Sequence, residues 1–113
     1  MNPGRLRHRV TIEQVETADD SDGMRTETWT PIGPALPAEI LPLSGGELLA
    51  AATAQSKVTT RIRMRYRPGL VALEMRARHR DTVYTIEAVI PDQKSGTRWV
   101  TLQCSSGADA RTG

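Results

Sequence analysis

Apolar and polar residues alternate most strictly between Val58 and Arg67. Val58, Thr60, Ile62, Met64 and Tyr66 fall on one face, and Thr59, Arg61, Arg63, Arg65 and Arg67 on the other. This is the pattern of a strand with one buried side. Pro68-Gly69 interrupts it, because proline lacks an amide donor and glycine turns freely. A second alternation sets Met75, Ala77 and His79 against Arg76, Arg78 and Arg80. Seven arginines thus occupy the outward faces of two predicted strands, offset only by Glu74 and Asp81. If these strands pair, like charges meet across the ladder and destabilise it. A fold tolerates that more easily where something anionic, or an acidic partner surface, lies opposite. The competing reading is a solvated face whose charges keep an edge from aggregating. Arginine outnumbers lysine 13 to 2, which can equally reflect genome base composition.

The remaining pattern predicts further short elements. Val10 and Ile12 share a face opposed by Arg9, Thr11 and Glu13, giving a first strand over Arg7–Glu16. Before it lies a basic arm, Met1–Arg9, whose Arg5, Arg7 and Arg9 can touch phosphate or acidic side chains or remain a flexible terminus. Thr17–Arg25 reads as a hairpin loop with Gly23 at positive φ. Its Asp20-x-Asp22-Gly23 has part of a calcium-loop spacing, but Ala18 and Trp29 occupy the places where an acid and a glutamate are required. A second strand, Thr26–Thr30, carries Trp29 to cover one end of the core, and a third, Ala38–Leu43, ends near Pro42. Ser44 and Glu47 have the spacing of a capping box. A helix of about ten residues follows, with Leu48, Leu49 and Ala52 on the face expected against a sheet. Ser44-Gly45-Gly46 makes only a weak phosphate-binding turn, since no Lys-Ser/Thr pair follows. Thr82–Ile90 places Tyr84, Ile86, Ala88 and Ile90 inward. After a turn over Pro91–Arg98, Trp99–Cys104 places Val100, Leu102 and Cys104 inward. Ser105–Gly113 reads as a disordered polar tail. The expected fold is mainly β: a small β-barrel or sandwich of about seven short antiparallel strands with one short α-helix, over residues 1–104.

Length and charge narrow the function. A chain of 113 residues supports one domain with a modest core. Its formal net charge is only +2, so the basic character is local, in Arg5–Arg9 and Arg61–Arg80, while Asp19, Asp20 and Asp22 concentrate negative charge. Such a dipolar layout suits stacking of unlike surfaces better than blanket nucleic-acid coating. The single cysteine excludes an internal disulfide and fits a reducing compartment. No apolar run approaches the ~20 residues of a membrane span, and the first ten residues lack the apolar core of an export signal. His8 and His79 stand among arginines without metal-ligand spacing, Ser105 and Ser106 lie in the predicted tail, and no carboxylate pair stands out. The residues point to no catalytic site, metal or cofactor, and the chain reads as a non-enzyme.

The order of landmarks resembles the phage head–tail joining family, also called head-closure, adaptor or stopper proteins of long-tailed phages and prophages. The resemblance rests on Gly4-Arg5-Leu6-Arg7-His8-Arg9-Val10, on Gly23 with Thr28-Trp29, and on Ala38-Glu39-Ile40 leading to Pro42-Leu43-Ser44-Gly45-Gly46-Glu47. It continues through Thr60-Arg61-Ile62-Arg63-Met64-Arg65-Tyr66-Arg67-Pro68-Gly69, Met75-Arg76, Tyr84-Thr85-Ile86-Glu87-Ala88-Val89 and Leu102-Gln103-Cys104. Arg80-Asp81 departs from it where a glycine turn is expected. The resemblance implies a small barrel with one helix, without enzymatic activity. It implies a ring subunit below the portal and connector and above the tail, closing the DNA exit channel and docking the tail. The implied partners are portal or connector proteins, tail or tail-terminator proteins, further copies of the chain and packaged double-stranded DNA, with no membrane. The implied location is the head–tail interface of a virion assembled in the bacterial cytoplasm.

The family supplies no compact functional motif, so the candidate residues come from the physical reading alone. Arg61, Arg63, Arg65, Arg67, Arg76, Arg78 and Arg80, with Arg5, Arg7 and Arg9, are candidate DNA or partner contacts. Asp19, Asp20, Asp22 and Gly23 form a loop expected to order on assembly, and Ser44 and Glu47 cap the helix. The alternative is a barrel that holds single-stranded nucleic acid in a basic groove with stacking aromatics. Only Tyr66 and Trp99 are available for that, and the alternation turns Tyr66 toward the core.

Overall fold

A computed structural model describes residues 6–93 and 98–106. Among them are seven strands and one helix: β1 (His8–Asp19), β2 (Arg25–Pro31), β3 (Leu36–Pro42), α1 (Gly45–Thr53), β4 (Thr60–Arg65), β5 (Met75–His79), β6 (Thr82–Pro91) and β7 (Trp99–Ser106). Every ladder is antiparallel, in the order β2-β1-β3-β4-β7-β6-β5, and β5 pairs back onto β1. Six strands therefore form a closed circuit of pairings within one sheet, rather than the two stacked sheets of a sandwich. Closure removes most of the unpaired edge that a short open sheet exposes.

The inward face follows the alternation. Val10 and Ile12 from β1, Ile62 and Met64 from β4, Met75 and Ala77 from β5, and Val100, Leu102 and Cys104 from β7 are buried together with Ala38 and Ile86. The chain has no phenylalanine, so methionine and branched aliphatics fill the interior. Registers such as Ile40↔Ile62 and Ile62↔Leu102 stack them across three strands.

Several expectations change in the structure. β4 and β5 do not pair: β4 lies between β3 and β7, and β5 between β6 and β1. The two arginine faces therefore never meet across a ladder. Ala88 and Ile90 do not share the inward face with Ile86. A bulge between Ile86 and Ala88 makes Glu87 the extra residue, after which Val89 opposes buried Leu102 and Ile90 opposes Thr101. One inserted residue exchanges the two faces of everything beyond it, and Ile90 is left 41% exposed. β7 runs through Ser106, so Ser105 and Ser106 belong to the sheet and not to a tail; residues 107–113 lie outside the described residues.

Helix α1 begins where the capping box places it. Glu47 N donates to Ser44 Oγ at 3.2 Å, and Ser44 N donates to Glu47 Oε1 at 3.0 Å. Its expected packing face does not exist, however: no helix residue is buried, and Leu48 and Leu49 are 41% and 71% exposed. The cap is a local bond set, whereas the packing needed a sheet surface that β3 and β4 do not offer there.

β1 is longer than expected. From Glu16 to Asp19 it pairs only with β2, so residues 16–28 continue as an exposed two-stranded ribbon past the closed sheet. The molecule is accordingly elongated, 50 × 33 × 25 Å. No helix among the described residues is long and apolar enough to cross a membrane.

Candidate interaction surface

The outward arginines divide into two sets. In β1–β5, Glu13 stands directly opposite Arg76. Arg76 Nε donates to Glu13 Oε1 at 2.6 Å, and Arg78 Nη2 donates to Oε2 at 2.7 Å. Glu13 is 2% exposed and Arg76 8%. The Arg76 guanidinium lies 4.4 Å over the Trp29 ring, a cation–π contact strengthened by the exclusion of water. Arg76, expected on an outward face, is thus buried under its neighbours, and Arg78 shares the same carboxylate. Arg76 is closed off from solvent, while Arg78 keeps half of its side chain exposed.

Two more arginines are also used internally. Arg61 Nη1 donates to Glu47 Oε2 at 2.6 Å and ties the helix start to β4. The Ser44 amide, followed by Arg61, holds the Glu47 carboxyl well down, at about 2. Arg67 donates from Nη2 to the Ile32 carbonyl and lies against Gly33, where an added Cβ would sit 3.0 Å from Nη2. Gly33 has φ +150, which by itself favours glycine there.

Arg63, Arg65 and Arg80 make no ion pair among the described residues. Arg63 opposes Glu39 on one side and Thr101 on the other. One oxygen of Glu39, Oε1, is buried with no hydrogen-bond partner. Arg65 opposes Trp99 and lies 5.9 Å over its ring. Arg80 sits in the two-residue turn between β5 and β6 at φ +56. The backbone there adopts the glycine-like geometry expected at that turn without a glycine. Arg9 is exposed, and its carbonyl accepts from His79 Nδ1 at 3.1 Å. Arg7 is also exposed. Arg5 lies outside the described residues.

β4 ends at Arg65, and Tyr66 turns out of the alternation to be 39% exposed. Tyr66 is therefore not the inward-facing residue that the alternation predicts. Beside it, a cavity of about 310 Å³ is lined by Pro34, Leu36, Pro37, Met64, Tyr66 and Pro68, with Arg65 and Arg67.

At the other end, the hairpin tip is already ordered. Asp20 Oδ1 accepts from Asp22 N at 2.9 Å and from Met24 N at 2.8 Å, and Gly23 takes φ +80 as its position requires. Asp19 belongs to β1 and reaches Arg25 at 3.5 Å in an exposed pair, worth little in water. The expected assembly loop is therefore a five-residue turn braced by Asp20, not a long loose segment. Residues 16–28 carry five acids and one arginine, five minus one giving net −4. Met24 stands among them 66% exposed.

The two histidines, distant in the sequence, meet edge-to-face with ring centroids 4.9 Å apart, because β1 and β5 pair. Among the described residues no group of three or more His, Cys, Asp or Glu gathers to hold a metal. Burial pushes the Cys104 thiol up to about 12 and also raises Tyr84, so Cys104 is a core residue and not a nucleophile.

Comparison with known proteins supplies the family. The model of the phage head completion protein family matches residues 1–107. Head completion protein gp7 of Enterobacteria phage HK97 is 34% identical over 113 residues, covering 96% of this chain and 99% of that protein. Among solved structures, the solution structure of protein SF1141 from Shigella flexneri 2a aligns with a TM-score of 0.71 at 28% identity, over 96% of this chain and 99% of that one. A chain from the virion of a native gene transfer agent particle aligns with a TM-score of 0.60 at 17% identity, over 89% and 94%, a likeness of fold alone. Both the near-complete family match and the full-length relative cover the strands that build the closed sheet, and on that basis the chain belongs to the phage head completion protein family.

Proposed function

We propose that the chain is a subunit of a head–tail connector ring that closes the DNA exit channel below the portal and docks the tail. Its partners in this reading are portal or connector proteins above, tail or tail-terminator proteins below, and further copies of itself alongside. Assembly takes place in the host cytoplasm, and packaged double-stranded DNA lies in the channel. The observation that carries the reading, beyond family membership, is the pair Arg63 and Arg65. They stand two residues apart on the outer face of β4 and have no acidic partner among the described residues. Repeated by rotational symmetry, two charges per chain become a belt. Facing the lumen, such a belt attracts phosphate without reading sequence; facing a neighbour, it sets encounter and register.

The test is Arg63→Gln/Arg65→Gln, which leaves the Glu13 and Glu47 bonds intact. Filled heads that fail to join tails, or that leak DNA, are expected. Normal yields of infectious particles would end the proposal. Exposed Tyr66 beside Arg65 and Trp99 keeps one competitor alive, a module for single-stranded nucleic acid. Tight binding of single-stranded DNA by the isolated chain at near-physiological salt, in a filter assay, favours that competitor.

A further inference from the structure

We propose that the β1–β2 hairpin is an acidic arm that docks head-to-tail on the next copy of the same chain. In this contact Met24 seats in the cavity between Pro34, Leu36, Tyr66 and Pro68, and Asp20 and Asp22 face Arg65. The inference rests on the ring reading above and names the contact that holds the ring together.

Three observations converge on it. First, the arm has nothing of its own to pack on. Every residue from Glu16 to Thr28 is exposed, yet the tip folds into a defined turn braced by the Asp20 bonds. A pre-ordered projection loses little conformational entropy when it docks.

Second, knob and socket match in kind. The tip presents a single large apolar side chain, Met24, 66% exposed between carboxylates. The cavity of about 310 Å³ is apolar-walled, and Arg65 and Arg67 are its charged members. Methionine is the unbranched, adaptable side chain that fills an irregular apolar gap. Arg67 is spent on the Ile32 carbonyl, whereas Arg65 makes no ion pair among the described residues and stacks on Trp99. An arm of net −4 also repels DNA, so nucleic acid is a poor occupant for the contact.

Third, the spacing forbids self-docking and favours a ring. β2 runs from the tip at Arg25 to its base at Pro31, roughly 20 Å at about 3.3 Å per residue. The cavity lies just past that base, beginning at Pro34. One subunit therefore carries knob and socket at opposite ends of one strand. Joining unlike patches in this way is a heterologous contact, which closes into a ring when the rotation permits, whereas a two-fold dimer needs one patch that matches itself.

The test uses particles assembled with the full-length double variant Ser21→Cys/Ala35→Cys, treated with a short bismaleimide; these positions flank the knob and the socket and leave Met24 and the cavity wall in place. Both positions are exposed and lie outside the strands, and the natural Cys104 is fully buried, so background labelling does not confuse the result. A ladder of cross-linked multimers of this chain, absent from either single variant, is expected. The charge swap gives a second readout. Asp22→Arg or Arg65→Asp alone should lower the tailed-particle yield on the order of tenfold or more, and the two together should recover most of it. If the chain is present in purified particles at ring stoichiometry but no ladder forms, the arm contact is overturned and the ring reading stands. A cross-link from Ser21→Cys to a tail or portal protein overturns it in the same way. If the chain is absent from purified particles, both readings fall.

Discussion

Replacing Glu13 by glutamine tests the arrangement that most sharply divides the arginines. The substitution keeps volume and removes one charge. In the wild type, two guanidinium groups converge on that carboxylate, at 2.6 and 2.7 Å. The partners differ in exposure: the Arg76 side chain is 10% accessible and that of Arg78 49%. Losing one partner of a buried pair costs about 3–5 kcal/mol, because the other charge is left uncompensated away from water. Glutamine retains one acceptor, and Trp29 still covers the Arg76 guanidinium at 4.4 Å, so the low end, about 3 kcal/mol, is expected. For a domain of this size that corresponds to a fall in Tm on the order of 10–20 °C. Arg78→Gln should cost under about 1 kcal/mol, since half-exposed pairs are worth little. Glu13→Leu/Arg76→Met should recover most of the loss, because a buried pair replaced whole by apolar groups is often neutral. Urea unfolding followed by far-UV circular dichroism measures all three. A Glu13→Gln loss below about 1 kcal/mol would refute the reasoning. So would a double variant no more stable than Glu13→Gln.

Three further outcomes follow from the same structure. Glu47 is depressed to about 2 from 4.5, so its stabilisation of the helix start is complete above pH 4.5 and is lost as pH falls toward 2; amide exchange at Glu47 and Leu48, compared with Glu47→Ala, which removes the side-chain acceptor, should show the helix fraying over that window and the variant frayed throughout. Cys104 is raised to about 12 from 9.0, so its contribution is intact below pH 9 and drains away between 9 and 12; a disulfide reagent should label the thiol at the rate of unfolding, and immediate labelling of the folded protein at pH 8 would contradict its burial. Arg80 sits at φ +56, where a side chain costs about 1–2 kcal/mol and glycine gives back part of that in chain entropy; Arg80→Gly should therefore raise stability by about 0.5 kcal/mol in thermal unfolding, and a loss of 1 kcal/mol would show that the arginine makes contacts worth more than the strain.

How much of this was legible in the sequence depends on the range of the interaction involved. The capping box is written in four consecutive residues, and Ser44 and Glu47 make both of its bonds. The alternation in β4 is equally local: Ile62 and Met64 are buried and Arg63 and Arg65 turn outward. Parity survives only until the chain inserts a residue, and nothing in Ile86-Glu87-Ala88 announces the bulge that turns Ile90 out. The arginine faces fail for a different reason. Alternation correctly places Arg76 and Glu13 on outward faces of their strands, but it carries no information about which strands become neighbours. Glu13 and Arg76 are 63 residues apart, and only the closure of β5 onto β1 brings their outward sides together under Trp29. A charge counted as available from its own strand is thus spent by another, and the same closure joins His8 to His79. Arg63 and Arg65 escape because β3 and β7 flank them with Glu39, Thr101 and Trp99, and the one carboxylate there makes no ion pair with either arginine. The functional candidates are therefore those outward arginines whose non-local neighbours leave them uncompensated, a property that belongs to the topology and not to any stretch of the chain.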